Sequence, residues 1–254
     1  MLTNDPFFLE NSQEHACLLL HGLGGGVYEL ELLGKYLFWQ GLTVQAINYP
    51  GHDRPTSKMP ASTWDQWYEH ILKSYQKLVQ RYASVSIVGF STGCPLGLYL
   101  ASAYDIQRLV LLSPFISIKH EWYHLLSPEA YLFSIGQLID DVPRLRLPIR
   151  DKTMRVEAEQ AKYLGSFNLA STRSALRLID HVKPKLSEIK VPTLIIQPSR
   201  DTVVDPGGAE FIYDTLGSSI KKLHWLQESD HISPLDIERD EVFTQVDAFL
   251  KAEA

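Results

Sequence analysis

At 254 residues, 45% hydrophobic and 21% charged, the chain has the make-up of a folded globular protein and the length for one α/β domain carrying an insertion. Its 24 Lys and Arg against 30 Asp and Glu leave a net charge of -6, which gives no basic excess to neutralise a nucleic-acid backbone. No apolar run approaches the roughly 20 residues of a bilayer span, and the acidic opening lacks the basic n-region of a secretory signal. A cytoplasmic protein is expected, with no nucleic-acid partner, no integral membrane segment and two reduced cysteines, Cys17 and Cys94. Oligomeric state is not legible.

In chain order, short runs rich in leucine and β-branched residues predict strands at 16–20, 43–48, 85–88, 109–112, 193–197 and 222–226. Between them, helical periodicity predicts helices at 28–40, 63–81, 92–103, 208–216 and 238–251. Ser62, or Thr63 with Gln66 three residues on, is placed to cap the second helix. Strands alternating with helices predict a doubly wound, parallel sheet. One interval breaks the alternation. Residues 117–190 show helical patterning and no convincing strand, which predicts an inserted cap, leaving 1–116 and 191–254 as the core. The interval holds 12 basic and 9 acidic residues, read as a solvated face.

The chemistry-bearing signal is Gly89-Phe90-Ser91-Thr92-Gly93, between the strand Val85-Ser86-Ile87-Val88 and the helical run that follows. This G-x-S-x-G pattern in a strand-turn-helix setting places a serine on a strained turn with its hydroxyl pushed outward, at the positive end of a helix. Glycines on both sides make room for the neighbouring strand and helix.

The loop His21-Gly22-Leu23-Gly24-Gly25-Gly26 brings backbone N–H groups close to a ligand. A phosphate cradle would require a following lysine, and a dinucleotide fingerprint a third glycine where Val27 stands. Both are discarded. The loop is read instead as half of an oxyanion hole, with the N–H groups of Leu23 and Thr92 converging on the substrate oxygen and His21 organising the loop.

Asp201 follows the strand 193–197 and His231 follows 222–226, giving the order serine, acid, base. His231 would accept the Ser91 proton while Asp201, rather than Asp205 or Asp230, holds its tautomer. His52 and His224 are weaker candidates for the base.

These residues, with Asn48-Tyr49-Pro50-Gly51-His52, resemble the α/β-hydrolases, specifically the small bacterial carboxylesterases and monoacylglycerol lipases. The resemblance runs from about residue 16 to the C-terminus, outside the cap. It implies an α/β-hydrolase fold with a mostly parallel sheet and a helical cap, Ser91 as nucleophile, His231 as base, Asp201 as acid, and hydrolysis of small carboxylic esters through an acyl-enzyme. No metal or cofactor is implied. Relatives often carry a second glycine after the elbow, where this chain has Cys94.

Thioester hydrolysis is the nearest enzymatic alternative; a hydrolase-fold binding protein with little turnover is another. His120-Glu121-Trp122-Tyr123-His124 satisfies the H-E-x-x-H zinc pattern, but Ser127-Pro128 interrupts its helix, Ser127 and Ala130 stand where the extended motif has Gly and His, and nothing supports Asp140 or Asp141 as a third ligand, so no zinc site is expected. Aromatic and aliphatic residues of the cap, Trp122 and Phe133 among them, are expected to line the acyl pocket and set preference for short- to medium-chain acyl groups.

Overall fold

The computed structural model describes residues 1–11, 13–118, 132–133 and 139–252. The strands are β1 (Phe7–Leu9), β2 (His15–Leu20), β3 (Thr43–Ile47), β4 (Ser84–Phe90), β5 (Leu109–Leu112), β6 (Asp141–Pro143), β7 (Ser166–Asn168), β8 (Thr193–Pro198) and β9 (Lys221–Leu226). The helices are α1 (Glu31–Trp39), α2 (Trp64–Val79), α3 (Gly93–Ala101), α4 (Lys152–Ala161), α5 (Leu169–Val182), α6 (Gly207–Thr215) and α7 (Arg239–Lys251). All six expected strands are present, within two residues at each end.

The main sheet runs β1-β3-β2-β4-β5-β8-β9. Its pairings are parallel except for β1, which lies antiparallel on the outer edge of β3. Continuous apolar strands are what a sheet covered on both faces demands. In β2, Ala16, Leu18 and Leu20 enter one core layer while Cys17 and Leu19 enter the other. The same alternation holds in β5, where Leu109 and Leu111 face one layer and Val110 and Leu112 the other. The chain leaves β2 outward to β3, then returns across it to β4. This reversal is the topological switch point, where open α/β sheets hold ligands beyond the carboxyl ends of their strands.

The 117–190 insertion departs from the expected helical cap in two respects, a pair of strands and a helix that packs into the main core. β6 and β7 pair antiparallel, with Val142 opposite Phe167. Three-residue strands are too short for a period-2 pattern to register. The second departure is α5, which supplies Ala175, Leu176, Leu178 and Ile179 to the same core layer as α3. Ser171 and Ser174 of α5 accept the main-chain N–H groups of Ser62 and Trp64, both at 2.9 Å. They thereby satisfy donors at the start of α2 that have no partner within the helix. At the same terminus, the N–H of Thr63 donates to Gln66 Oε1 at 2.9 Å, the reciprocal bond expected of a capping box.

Candidate active site

Ser91 sits in the turn between β4 and α3 with a positive φ of 51°, a conformation that costs a non-glycine residue about 1–3 kcal/mol. The surrounding hydrogen bonds hold it there. Its N–H donates to the Leu112 carbonyl (2.9 Å), and its own carbonyl accepts from the N–H groups of Cys94 (3.0 Å) and Phe115 (3.2 Å). The flanking glycines are required by close packing: a Cβ on Gly93 would sit 2.1 Å from the Leu20 carbonyl oxygen, and one on Gly89 2.5 Å from that of Gly93. Cys94 fits without a clash, its sulfur 3.2 Å from the Gly89 carbonyl oxygen and 3.3 Å from that of Leu112. Burial pushes its thiol well above the usual range, so it is not a competing nucleophile.

Ser91 Oγ lies 2.9 Å from His231 Nε2, and His231 Nδ1 lies 2.8 Å from Asp201 Oδ2. An ionised carboxylate only accepts, so the Nδ1–H donates to Asp201 and Nε2 is left to accept from the Ser91 hydroxyl. Asp201 is fully buried. Burial alone would raise its pKa, but the facing His231 and the N–H groups of Val203 (2.8 Å) and Val204 (3.0 Å) outweigh it and bring it below the ordinary value. Gln197 Nε2 also donates to Oδ2, at 3.2 Å. Asp205 and Asp230 are occupied elsewhere. Asp205 accepts Gly207 N–H in its own turn, and Asp230 accepts from the N–H and hydroxyl of Thr202.

Several residues that hold this arrangement carried no sequence signal. Ser113, the second non-glycine residue with positive φ (48°), donates its hydroxyl to the His231 carbonyl at 2.7 Å. Asp236 is fully buried and accepts the N–H groups of Asp230, Ile237, Arg150 and Asp151, tying the histidine loop to the insertion. Ser113 precedes a proline at a strand end, the only local hint of a constrained turn.

Three other histidines have structural partners. His21 donates through Nδ1 to the Gly22 carbonyl at 2.8 Å and accepts the Tyr49 N–H at Nε2, which makes it the loop organiser expected. His52 Nε2 accepts the N–H of Gly24 at 3.0 Å, and burial depresses its pKa to about 4. His224 pairs with Glu241 at 2.7 Å, away from Ser91. His120 and His124 lie outside the described residues.

Ser91 and His231 open onto a cavity of about 410 Å³. Among the described residues its walls are mainly apolar, formed by Leu23, Phe115, Ile118, Phe167, Leu169 and Val203, with Thr92 beside the nucleophile. Leu23 and Thr92, the expected oxyanion donors, line the same cavity as Ser91. Phe133 is not among the described lining residues and is 40% exposed. Helical spacing shows that a residue belongs to an apolar supply, but not which face of the fold it meets. Trp122 lies outside the described residues.

A family model described as serine aminopeptidase, S33, matches residues 11–238. The chain belongs to this family of α/β-hydrolases. Over 252 residues the hydrolase is 27% identical to a carboxylesterase of Bacillus subtilis (strain 168), covering 99% of this chain and 98% of the relative. It is 28% identical over 236 residues to a thermostable monoacylglycerol lipase of Bacillus sp. (strain H-257), covering 92% and 89%. Among solved structures, one reported for LipS and LipT, two metagenome-derived lipolytic enzymes, matches with a TM-score of 0.81 at 22% identity over 99% of both chains. The monoacylglycerol lipase of Paleococcus ferrophilus matches at 0.82 and 18% identity, covering 96% of this chain and 97% of that one. These structural likenesses carry the fold. Among the described residues, no helix of the hydrolase is long and apolar enough to cross a membrane.

Proposed function

We propose that the hydrolase cleaves small carboxylic esters by nucleophilic catalysis at Ser91. The observation that carries this reading is the unbroken hydrogen-bonded series Ser91–His231–Asp201 opening onto an apolar cavity. Ser91 Oγ attacks the ester carbonyl carbon as its proton passes to His231 Nε2. The carbonyl oxygen becomes an oxyanion, held by the N–H groups of Leu23 and Thr92. His231 then returns the proton to the departing alcohol as the carbon–oxygen bond breaks, leaving an acyl group on Ser91. Water, deprotonated by His231, attacks the acyl carbon, and Ser91 regains its proton as the acid leaves. Asp201 stays ionised throughout and stabilises the imidazolium formed at each transfer.

The walls support an acyl substrate rather than a peptide N-terminus. A peptide's α-ammonium group would need an available carboxylate, and Glu29, the carboxylate among the described lining residues, is paired with Arg144. The sequence-similar carboxylesterase and lipase support the same choice. Steady-state assays with a ladder of acyl esters, each paired with its thioester, test the reading. Ester turnover that Ser91→Ala abolishes supports it; turnover of thioesters or aminoacyl amides alone would replace it.

A further inference from the structure

The insertion was expected to act on selectivity, leaving the chemistry to the sheet. A buried ion pair connects the two. Glu29, in the short 3-10 turn after the glycine-rich loop, is 1% exposed, and Arg144, just beyond β6, lies 3.4 Å from it. The pair straddles Leu23. On one side, Glu29 Oε2 accepts the N–H of Gly22 at 3.0 Å. On the other, Arg144 donates to the Gly24 carbonyl, and the Phe167 ring of β7 packs so closely on Gly24 that a Cβ there would be 2.7 Å away. The guanidinium also sits 5.3 Å from the centre of that ring.

The pair has an electrostatic consequence as well. A single point beside Gly22 lies 3.2 Å from Ser91 Cβ and 3.3 Å from Glu29 Oε2, so the carboxylate approaches the place where negative charge develops on the substrate. An unpaired carboxylate there would oppose oxyanion formation.

Resting on the proposed ester hydrolysis, we infer that Arg144 and Glu29 are positioning residues: together they set the Leu23 N–H for the oxyanion, and Arg144 cancels the Glu29 charge beside it. The insertion therefore completes the oxyanion site as well as roofing the acyl cavity. Among the described residues, Arg144, Tyr28, Tyr49 and His231 are the titratable and charged groups that act on Glu29 or feel its charge. Burial raises the Glu29 pKa, and Arg144 and the Gly22 N–H offset part of that rise. Without Arg144, the carboxylate should therefore take up a proton more readily.

The test uses the intact enzyme and four variants: Arg144→Met, Arg144→Lys, Glu29→Gln and the Arg144→Met/Glu29→Gln double. kcat and KM are measured for one soluble acyl ester across pH, with fluorophosphonate titration counting the competent sites. Arg144→Met should lower kcat by about 10- to 100-fold, the scale of a displaced reacting group, and change KM by less than about threefold. The deficit relative to the parent should deepen as pH rises and Glu29 ionises. Glu29→Gln in the same chain should restore part of kcat and remove that pH dependence, while Arg144→Lys falls between. A parental kcat in Arg144→Met, a double variant no better than the single, or a deficit constant with pH would overturn the inference. If Arg144→Met does not fold, the double variant and Arg144→Lys decide it on the same readouts. A parent enzyme that neither turns over esters nor takes up the probe would instead refute the ester-hydrolase reading.

Discussion

Asp201 Oδ2 lies 2.8 Å from His231 Nδ1, while the two nearby aspartates that could replace it are engaged elsewhere, Asp205 with the N–H of Gly207 in its own turn and Asp230 with the N–H and hydroxyl of Thr202. Exchange of Asp201 for asparagine keeps the shape but offers an amide where the imidazole needs an acceptor. Asp201→Asn should lower kcat on the order of 10⁴-fold, with little change in the unfolding midpoint. Asp205→Asn should leave kcat within a few fold of the parent. The reverse ranking in a steady-state assay would move the acid to Asp205.

The tight crossing of α3 over β2 makes a second prediction. A methyl group on Gly93 meets the main-chain oxygen of Leu20 at 2.1 Å, and backbone cannot rotate away. On Gly97 the nearest atom is a side-chain methyl of Ile87 at 3.2 Å, which can shift. Gly93→Ala should lose about 3 kcal/mol or more and displace the elbow, whereas Gly97→Ala should lose about 1 kcal/mol or less. Urea unfolding of both variants checks the ranking.

The contrast between those glycines shows why some of the site was legible from the sequence. Ser91 needs a sharp turn wedged between backbones, which forces glycine at 89 and 93 and leaves a local pattern. Asp201 is legible because it follows β8, an apolar strand buried on both faces, with Leu194 and Ile195 in opposite layers; His231 follows β9, a partly buried edge strand, and is legible from the serine–acid–base order. Glu29 and Arg144 sit 115 positions apart and meet only because β6 and β7 fold back over the glycine-rich loop. β1, β6 and β7 were missed because three residues carry no periodicity. Composition also cannot say which cap residues face inward.

Acid stability provides a third prediction. His52 is buried with its pKa depressed to about 4, so the folded state keeps it neutral while an unfolded chain protonates it near its ordinary value of 6.5. Its contribution is therefore complete above pH 6.5 and is lost as pH falls from there toward 4, at up to about 1.4 kcal/mol per pH unit. His52→Gln should flatten that part of the stability–pH curve obtained from urea unfolding between pH 4 and 7. An unchanged slope would show that His52 is not held neutral.

The cavity walls make a fourth. Each methylene buried is worth about 0.8 kcal/mol, close to fourfold in kcat/KM, until the acyl chain meets a wall. Leu169, at the start of α5, forms part of that wall. Leu169→Ala should move the preferred acyl length up and Leu169→Phe should move it down. Profiles of kcat/KM against chain length that coincide for all three proteins would place the acyl group elsewhere.

The central claim is that Ser91 carries the acyl group. The direct measurement is intact-mass and peptide mapping after reaction with a fluorophosphonate, on the parent and on Ser91→Ala. The account predicts one adduct per parent chain, on the peptide holding Ser91, and neither adduct nor ester turnover in Ser91→Ala at an unchanged unfolding midpoint. Turnover retained by Ser91→Ala, or lost from the parent on adding a chelator, would contradict it.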